Sequence, residues 1–186
     1  MKSFKNSFRA LAFLLISSLL CSSAANAATA QQLQTDGQAA LENLYAANPK
    51  TRDLGQKAYA ILVFPTVVRA GLLMAGFERG DGVLFVKGQT DGYYNTSSVC
   101  PGLQAGAQTY SYALFFMTLE DLQSLKKSGG LNLGAAPGLT VADKGVAGGA
   151  SLYTLHGIKA FVFGQKGLMA NIGFKATKIS EYTPSK

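Results

Sequence analysis

Histidine and cysteine, which often carry out acid–base or nucleophilic chemistry, are scarce in this sequence. His156 is the single histidine, and it lies between Leu155 and Gly157, where we expect a turn. A hydrolase of the Ser–His–Asp type needs a nucleophile, a base and an orienting acid, and no G-x-S-x-G sequence accompanies this histidine. We therefore interpret His156 as a solvated turn residue rather than a catalytic base.

The carboxylates Glu78 and Asp81 are a second candidate for acid–base chemistry. They flank Arg79, and Asp81 belongs to Gly80-Asp81-Gly82, a sequence typical of a tight turn. Carboxylates in exposed turns are usually solvated and have no further role. The sequence therefore predicts that this protein is not an enzyme.

Ligand sets for a cofactor or a metal are also missing from the sequence. Two cysteines and one histidine are too few for a structural zinc site, which usually has four ligands. The glycine-rich sequence from Gly145 to Ser151 lacks the Gly-Lys-Ser/Thr that completes a phosphate loop. We interpret it as a turn or as close strand packing, and we predict no cofactor and no bound metal.

The N-terminal residues 1–27 have the layout of a cleavable signal peptide. Lys2, Lys5 and Arg9 precede an apolar run that ends in small residues, and Ala25-Asn26-Ala27 forms an A-x-A site. The alternatives are an uncleaved anchor, for which the run of about eleven apolar residues is short, and a lipoprotein at Cys21, which Leu20 disfavours. We predict export to the periplasm or envelope, with secretion as a further destination.

Cleavage after Ala27 would change the charge and the cysteine content of the protein. Subtracting 27 residues from 186 leaves 159, and loss of three cations lowers the net charge from +7 to +4. Cys100 would be the remaining cysteine, and we interpret it as a buried small side chain rather than a reactive thiol. A chain of this length, without a linker, predicts a single domain over residues 28–186.

The pattern of apolar residues predicts an α+β fold with an N-terminal helix, a few short helices and a Gly-rich, mostly antiparallel sheet or barrel. Helices are expected at 31–47, from Thr51 and from a Thr118 cap to Gly129. Strands are expected at 58–64, 72–78, 83–86, 110–117, 151–155, 158–163 and 168–174. Turns are expected at Gly80-Asp81-Gly82, at Asp91-Gly92 and at Gln165-Lys166-Gly167.

Cations and tyrosines are the side chains with the clearest potential for binding. Lys166, Lys175 and Lys178 lie near the C-terminal strands, and Tyr93 and Tyr94 follow a predicted turn. Lysines near an anionic lipid surface contribute about 1 kcal/mol each, and tyrosine suits a polar–apolar interface. Nucleic acid is a poorer partner because it would select a denser basic stripe.

Several ordered blocks of the sequence resemble the SYLF (Ysc84/DUF500) domain family. The opening block runs from Ala58 to Pro65, continues as Val67-Val68-Arg69-Ala70-Gly71 and ends with Gly76 and Gly80-Asp81-Gly82-Val83-Leu84. Gly102-Leu103-Gln104-Ala105-Gly106-Ala107-Gln108, the stretch 115–125 and the block from Phe163 to Ala170 resemble later segments of the family. The resemblance covers about residues 53–179, and it implies a lipid-binding module.

Together, charge and resemblance predict a non-catalytic exported module that contacts anionic phospholipid in the cell envelope. The expected contact residues are Arg69, Lys166, Lys175, Lys178, Tyr93 and Tyr94. The alternative is a structural or protein-interaction domain of the envelope without lipid specificity, in which the tyrosine-rich strands form an oligomer or partner surface. The oligomeric state and any protein partner stay open at this point.

Overall fold

A computed structural model of the chain describes residues 29–133, 140–146, 150–155, 157–167 and 177–184. The helices are α1 (Ala30–Ala47), α2 (Pro49–Lys57) and α3 (Leu119–Ser128). The strands are β1 (Ala60–Val86), β2 (Gln89–Phe116), β3 (Gly130–Leu133), β4 (Thr140–Val146), β5 (Ala150–Leu155), β6 (Ile158–Gly167) and β7 (Thr177–Glu181). The predicted α+β class, with an N-terminal helix and an antiparallel sheet, is confirmed.

The helices begin and end close to where their capping residues predict. At α1, the Thr29 hydroxyl accepts a hydrogen bond from the Gln32 amide at 3.2 Å. α3 has Thr118 as its N-cap and Gly129 as its C-cap, with φ of 61° at Gly129, as expected. α2 begins at Pro49 rather than at Thr51, because proline fits the first turn of a helix and Thr51 lies within that turn.

The long hairpin of β1 and β2 turns at Lys87-Gly88, where φ is 49° and 79°. Two successive positive φ values match the right-handed twist of the flanking strands. The turns predicted at Gly80-Asp81-Gly82 and at Asp91-Gly92 are wrong, because both sequences lie within strands. The turn predicted at Gln165-Lys166-Gly167 is wrong in the same way, since these residues continue β6.

Gly80 and Gly82 do not form a turn. They let the second half of β1 pack closely against its first half. A Cβ at Gly82 would lie 2.6 Å from Cδ1 of Phe64, and one at Gly80 would lie 2.7 Å from the carbonyl oxygen of Thr66. No real Cβ approaches other atoms so closely, so only glycine permits this contact. The second half of β1 therefore packs against its first half, and the sheet is strongly curled.

Every strand pairing among the described residues is antiparallel. The strand order is β3–β7–β2–β6–β5–β4, and β1 pairs with β2 along most of its length. The early part of β2, at 94–97, pairs with β7, whereas the late part, at 108–116, pairs with β6. The predicted strands 151–155 and 158–163 are confirmed within β5 and β6, and the predicted strand 168–174 lies outside the described residues.

Two hydrophobic clusters lie on opposite faces of the curled sheet. The inner cluster lies on the concave face and includes Phe64, Tyr112 and Leu114, with the Phe64 and Tyr112 rings stacked at 4.5 Å. The outer cluster lies under α1, where Leu33, Leu41 and Leu44 pack on strand residues. Phe77 and Val99, which α1 does not cover, are more than half exposed.

The side chains of β1 change face twice along the strand. The inward side chains are first at even-numbered positions, such as Leu62 and Phe64, and then at odd-numbered ones, Val67 and Arg69. They are at even-numbered positions again at Glu78 and Leu84. The first change coincides with an extra residue of β1 between Phe64 and Val67. The second change falls between Arg69 and Glu78, where the pairing with β2 also shifts register, between Leu73 and Ala75. An extra residue in one strand moves every following side chain to the opposite face.

Candidate functional site

Arg69, predicted as a lipid contact, lies inside the curled sheet. Its side chain is 9% exposed, and its Nε lies 3.3 Å from Oε1 of Glu78, which is 4% exposed. The Tyr110 hydroxyl donates to Oε2 of the same carboxylate at 3.0 Å. The prediction that Arg69 contacts lipid is therefore wrong for this structure, because its charge is buried and paired with Glu78.

Further polar side chains surround this buried ion pair. Gln108 lies opposite Arg69 in the β1–β2 register and is buried, as are Thr96 and Ser98. The Tyr112 hydroxyl donates to the Thr96 Oγ1 at 2.7 Å, which ties the late part of β2 to its early part. These contacts link segments that are distant along the strands, so they fix the curl of the sheet.

The buried tyrosines are held in their protonated form. Burial raises the pKa of the Tyr110 hydroxyl well above its ordinary value of 10.0, and Glu78 raises it further. Burial also raises the pKa of the Tyr112 hydroxyl well above its ordinary value. Both hydroxyls are therefore permanent donors at neutral pH, which is what a structural hydrogen bond requires.

The candidate acid–base pair of Glu78 and Asp81 is not assembled. Glu78 lies in the interior with Arg69, whereas Asp81 lies on the outer face and accepts a hydrogen bond from Asn95 at 2.9 Å. The expectation that Glu78 is an exposed turn carboxylate is wrong, because it is buried within a strand. The two carboxylates point to opposite faces and cannot act on one substrate group.

The two predicted tyrosines lie on opposite faces of β2. Tyr94 belongs to the inner cluster and is 2% exposed, and burial raises its pKa to about 12. Its predicted role at a lipid interface is wrong for this structure, since it has almost no exposed surface. Tyr93 is half-buried at the edge of the outer cluster, where it stays a candidate.

The predicted lysines that the structure describes are exposed but are not brought together. Lys166 lies opposite Thr109 in β6, next to a shallow groove beside α1. Lys178 lies in β7 between Ser97 of β2 and Asn132 of β3. Ser97 and Thr109 are twelve residues apart along β2, so the two lysines occupy separate parts of the sheet. Lys175 lies outside the described residues.

The clearest candidate surface on the outer face was not predicted from the sequence. Phe77 of β1 and Val99 of β2 are paired in register, and they are 59% and 68% exposed. The next outward-facing pair brings Arg79 beside Ser97, and Ser97 in turn pairs with Lys178. We call Phe77, Val99, Arg79 and Lys178 the outer patch, in which two exposed apolar side chains are adjacent to two exposed cations.

A local signal for the outer patch is present in the sequence, but it requires the correct element. Phe77, Arg79 and Asp81 alternate with Glu78 and Gly80, as expected for a strand with one exposed face. Assigning Gly80-Asp81-Gly82 to a turn hides this alternation. The outer patch was therefore missed because of the wrong turn and not because its residues are unusual.

Several other candidate features lie wholly or partly outside the described residues. His156 is one of them, and the side chain of Cys100 is another. Gly145 and Ser151 lie in the paired strands β4 and β5, but residues 147–149 between them are not described. Within the described part of the chain, no group of three or more His, Cys, Asp or Glu could hold a metal ion.

No helix among the described residues is both long and apolar enough to cross a membrane. Comparison of the sequence with models of protein families and with curated proteins found no match.

Proposed function

We propose that this protein is a non-catalytic exported module that contacts anionic phospholipid at the surface of an envelope membrane, and that the outer patch makes this contact. The observation that carries the proposal is the placement of Phe77 and Val99, both more than half exposed, beside the cations Arg79 and Lys178. An apolar pair can enter the headgroup region while the cations stay with the phosphates.

The charges of the outer patch favour an anionic partner. Arg79 and Lys178 form no ion pair with any residue that the structure describes. Asp81, the next outward residue of β1, is partly buried and accepts a hydrogen bond from Asn95. Each cation near an anionic membrane contributes about 1 kcal/mol, so two of them favour weak and salt-sensitive binding.

The rigidity of the strands also supports the proposal. The outer patch spans three hydrogen-bonded strands, so Phe77, Val99 and Lys178 are held in fixed relative positions. Directly beneath it, the ion pair of Glu78 with Arg69 fixes the part of β1 that carries Phe77 and Arg79. Little backbone freedom would be lost on binding, which lowers its entropic cost.

Of the residues predicted from the sequence, Lys178 is part of the outer patch. Tyr93 lies further along the same face, opposite Val83, where it could extend the contact. Lys166 is exposed elsewhere on the sheet and would act as a separate cation. The proposal leaves out Arg69 and Tyr94 because both are buried.

Co-sedimentation with vesicles tests the proposal. The protein as cells produce it, with its N terminus defined by mass spectrometry, is mixed with phosphatidylglycerol-containing or pure phosphatidylcholine vesicles. We expect pelleting with the anionic vesicles that decreases as salt is added. Arg79→Gln and Lys178→Gln should each weaken binding about fivefold, and Phe77→Ser should weaken it further.

The control is Lys57→Gln, which removes an equal charge from the end of α2 outside the outer patch. It should bind as the parent protein does. If Arg79→Gln and Lys178→Gln also bind as the parent does, or if both vesicle types pellet the parent equally, the proposal is wrong.

A protein-interaction role is the second candidate, and the same exposed pair of Phe77 and Val99 supports it. If this role is correct, size-exclusion chromatography with light scattering should show a stable oligomer that Phe77→Ser dissociates. Vesicles of either composition should then have no effect on the oligomer.

A further inference from the structure

A second surface feature lies beside the turn of the β1–β2 hairpin. A groove of about 550 Å³ lies between α1, α2 and the Lys87-Gly88 turn. The volume is within the range of small-molecule sites, which is about 300–1,000 Å³. Along β1 it is six residues from Phe85, which lines the groove, to Arg79 of the outer patch, or about 20 Å of extended strand, and the two features share no residue.

The lining of the groove is divided into an apolar floor and a polar rim. The floor consists of the edge of the outer cluster, from which Leu41, Ile61 and Phe85 contribute, together with Ala58 and the ring of Tyr45. A Cβ at Gly55 would overlap the Tyr45 hydroxyl, so glycine at this position allows the Tyr45 ring to lie against α2. A ligand that fills the floor must therefore have an apolar body.

The rim carries a positive charge that is only partly compensated. Arg52 lies over the Tyr45 ring, 4.8 Å from its centroid, and its Nη2 is 2.8 Å from Oε2 of Glu42. Both partners of this pair are more than half exposed, so the ion pair is weak and can rearrange. Lys87 projects from the turn at the rim and forms no ion pair with any described residue.

From this arrangement we infer that the groove binds a single-chain carboxylate, such as a fatty acid. The chain would lie against Leu41, Tyr45 and Phe85 on the floor, and the carboxylate would lie at the rim near Lys87 and Arg52. A cationic amphiphile would meet two positive charges against one negative charge and is disfavoured. This inference goes beyond the proposed function, because it concerns one free lipid molecule and not the surface of a bilayer.

The test uses three probes that share a twelve-carbon chain: dodecanoate, dodecyltrimethylammonium and dodecyl maltoside, each below its micelle concentration. Binding to the protein as cells produce it is followed by titration calorimetry and by NMR shifts of backbone amides. We expect dodecanoate to bind most tightly and to shift the amides of Gly55 and Gly88, which line the groove.

Matched variants locate the site. Lys87→Gln should weaken dodecanoate binding about fivefold, whereas Lys127→Gln, an equal charge change on α3, should leave it unchanged. Gln56→Trp places a ring at the edge of the groove and should reduce the affinity at least tenfold, whereas Gln34→Trp, on an exposed position of α1 outside the groove, should not. Circular dichroism confirms that each variant is folded.

Two results would overturn the inference: equal affinity for all three probes, or dodecanoate binding that neither Lys87→Gln nor Gln56→Trp alters. Arg79→Gln should have no effect on dodecanoate and should weaken vesicle binding. Failure of the groove and failure of the outer patch can therefore be distinguished.

Discussion

Arg69 and Arg79 are two arginines of the same strand, and they have opposite environments. Arg69 lies inside the curled sheet beside Glu78, whereas Arg79 lies on the outer face beside Ser97. They are ten residues apart, so a regular strand would place both on one face. The side-chain alternation of β1 is therefore interrupted between them, in the stretch where the pairing with β2 shifts register between Leu73 and Ala75. A local irregularity of the backbone therefore decides which arginine is structural and which is available to a partner.

The largest effect expected from this comparison comes from removing the buried charge. Arg69→Met leaves the Glu78 carboxylate buried without its ion-pair partner, and loss of one member of such a pair costs about 3–5 kcal/mol of unfolding free energy. Urea unfolding followed by circular dichroism measures the change. The matched variant Arg79→Met should change stability by less than about 0.5 kcal/mol, as is usual for surface positions.

If Arg69→Met and Arg79→Met have similar stabilities, the two arginines are not in different environments. The double variant Arg69→Met/Glu78→Leu sharpens the test, because a well-packed apolar pair can replace a buried ion pair at little cost. It should regain most of the stability that Arg69→Met loses.

A smaller loss is expected where the curl of β1 is tightest. Gly82→Ala adds a Cβ within 2.6–2.7 Å of the Phe64 ring and of the Val63 carbonyl oxygen, so the two halves of β1 must separate. Overpacking of this kind costs about 1–3 kcal/mol. Gly92→Ala is the control, since its nearest neighbour, the Tyr94 ring, would be at an ordinary 3.4 Å. Equal stability of both variants would contradict the close contact within β1.

Tyr110→Phe tests the contribution of the Tyr110 hydroxyl to the buried polar cluster around Glu78. It removes the hydrogen bond to Glu78 and leaves a buried carboxylate oxygen with one fewer donor, which costs about 1–3 kcal/mol. Tyr93→Phe, on the outer face, should change the free energy of unfolding by less than about 0.5 kcal/mol. A loss at Tyr93 as large as that at Tyr110 would argue against the assignment of the faces.

Ionisation of Tyr94 should lower the stability of the fold only at alkaline pH. The folded pKa of Tyr94 is about 12, above the ordinary 10.0, so the fold favours the neutral hydroxyl. Tyr94 therefore contributes stability that is fully present below pH 10 and is lost as pH rises through about 12. Urea unfolding across this range should show the decline, and Tyr94→Phe should make it smaller. A profile that Tyr94→Phe leaves unchanged would show that this group is not responsible.

Much of the fold could be predicted from local sequence because the determinants are local. The spacing of Leu33, Ala40, Leu41 and Leu44 predicts α1, and Thr118 and Gly129 predict the ends of α3. The strand turns were harder, since Asp-Gly sequences within β1 and β2 look like turns while Lys87-Gly88 forms the real one. The local sequence does not distinguish a glycine that lets two distant segments approach closely from a glycine that permits a positive φ.

The candidate site was predicted less well, for a related reason. Lys178 was predicted and lies in the outer patch, but its neighbours Phe77, Val99 and Arg79 come from two other strands. Arg69 and Tyr94 were predicted from residue type, which does not indicate the face of a strand. Both changed from surface candidates to buried residues once the register of β1 and β2 was known.

The sequence by itself determined the α+β class, the helices and their caps, and the scarcity of histidine and cysteine. These properties depend on composition and on neighbours within one or two helical turns. Only the tertiary structure decided which face of β1 each arginine occupies, that Glu78 is buried, and that Phe77, Val99, Arg79 and Lys178 are adjacent. The physical reason is that register shifts and self-contact of a curled strand depend on pairing between residues far apart in the chain.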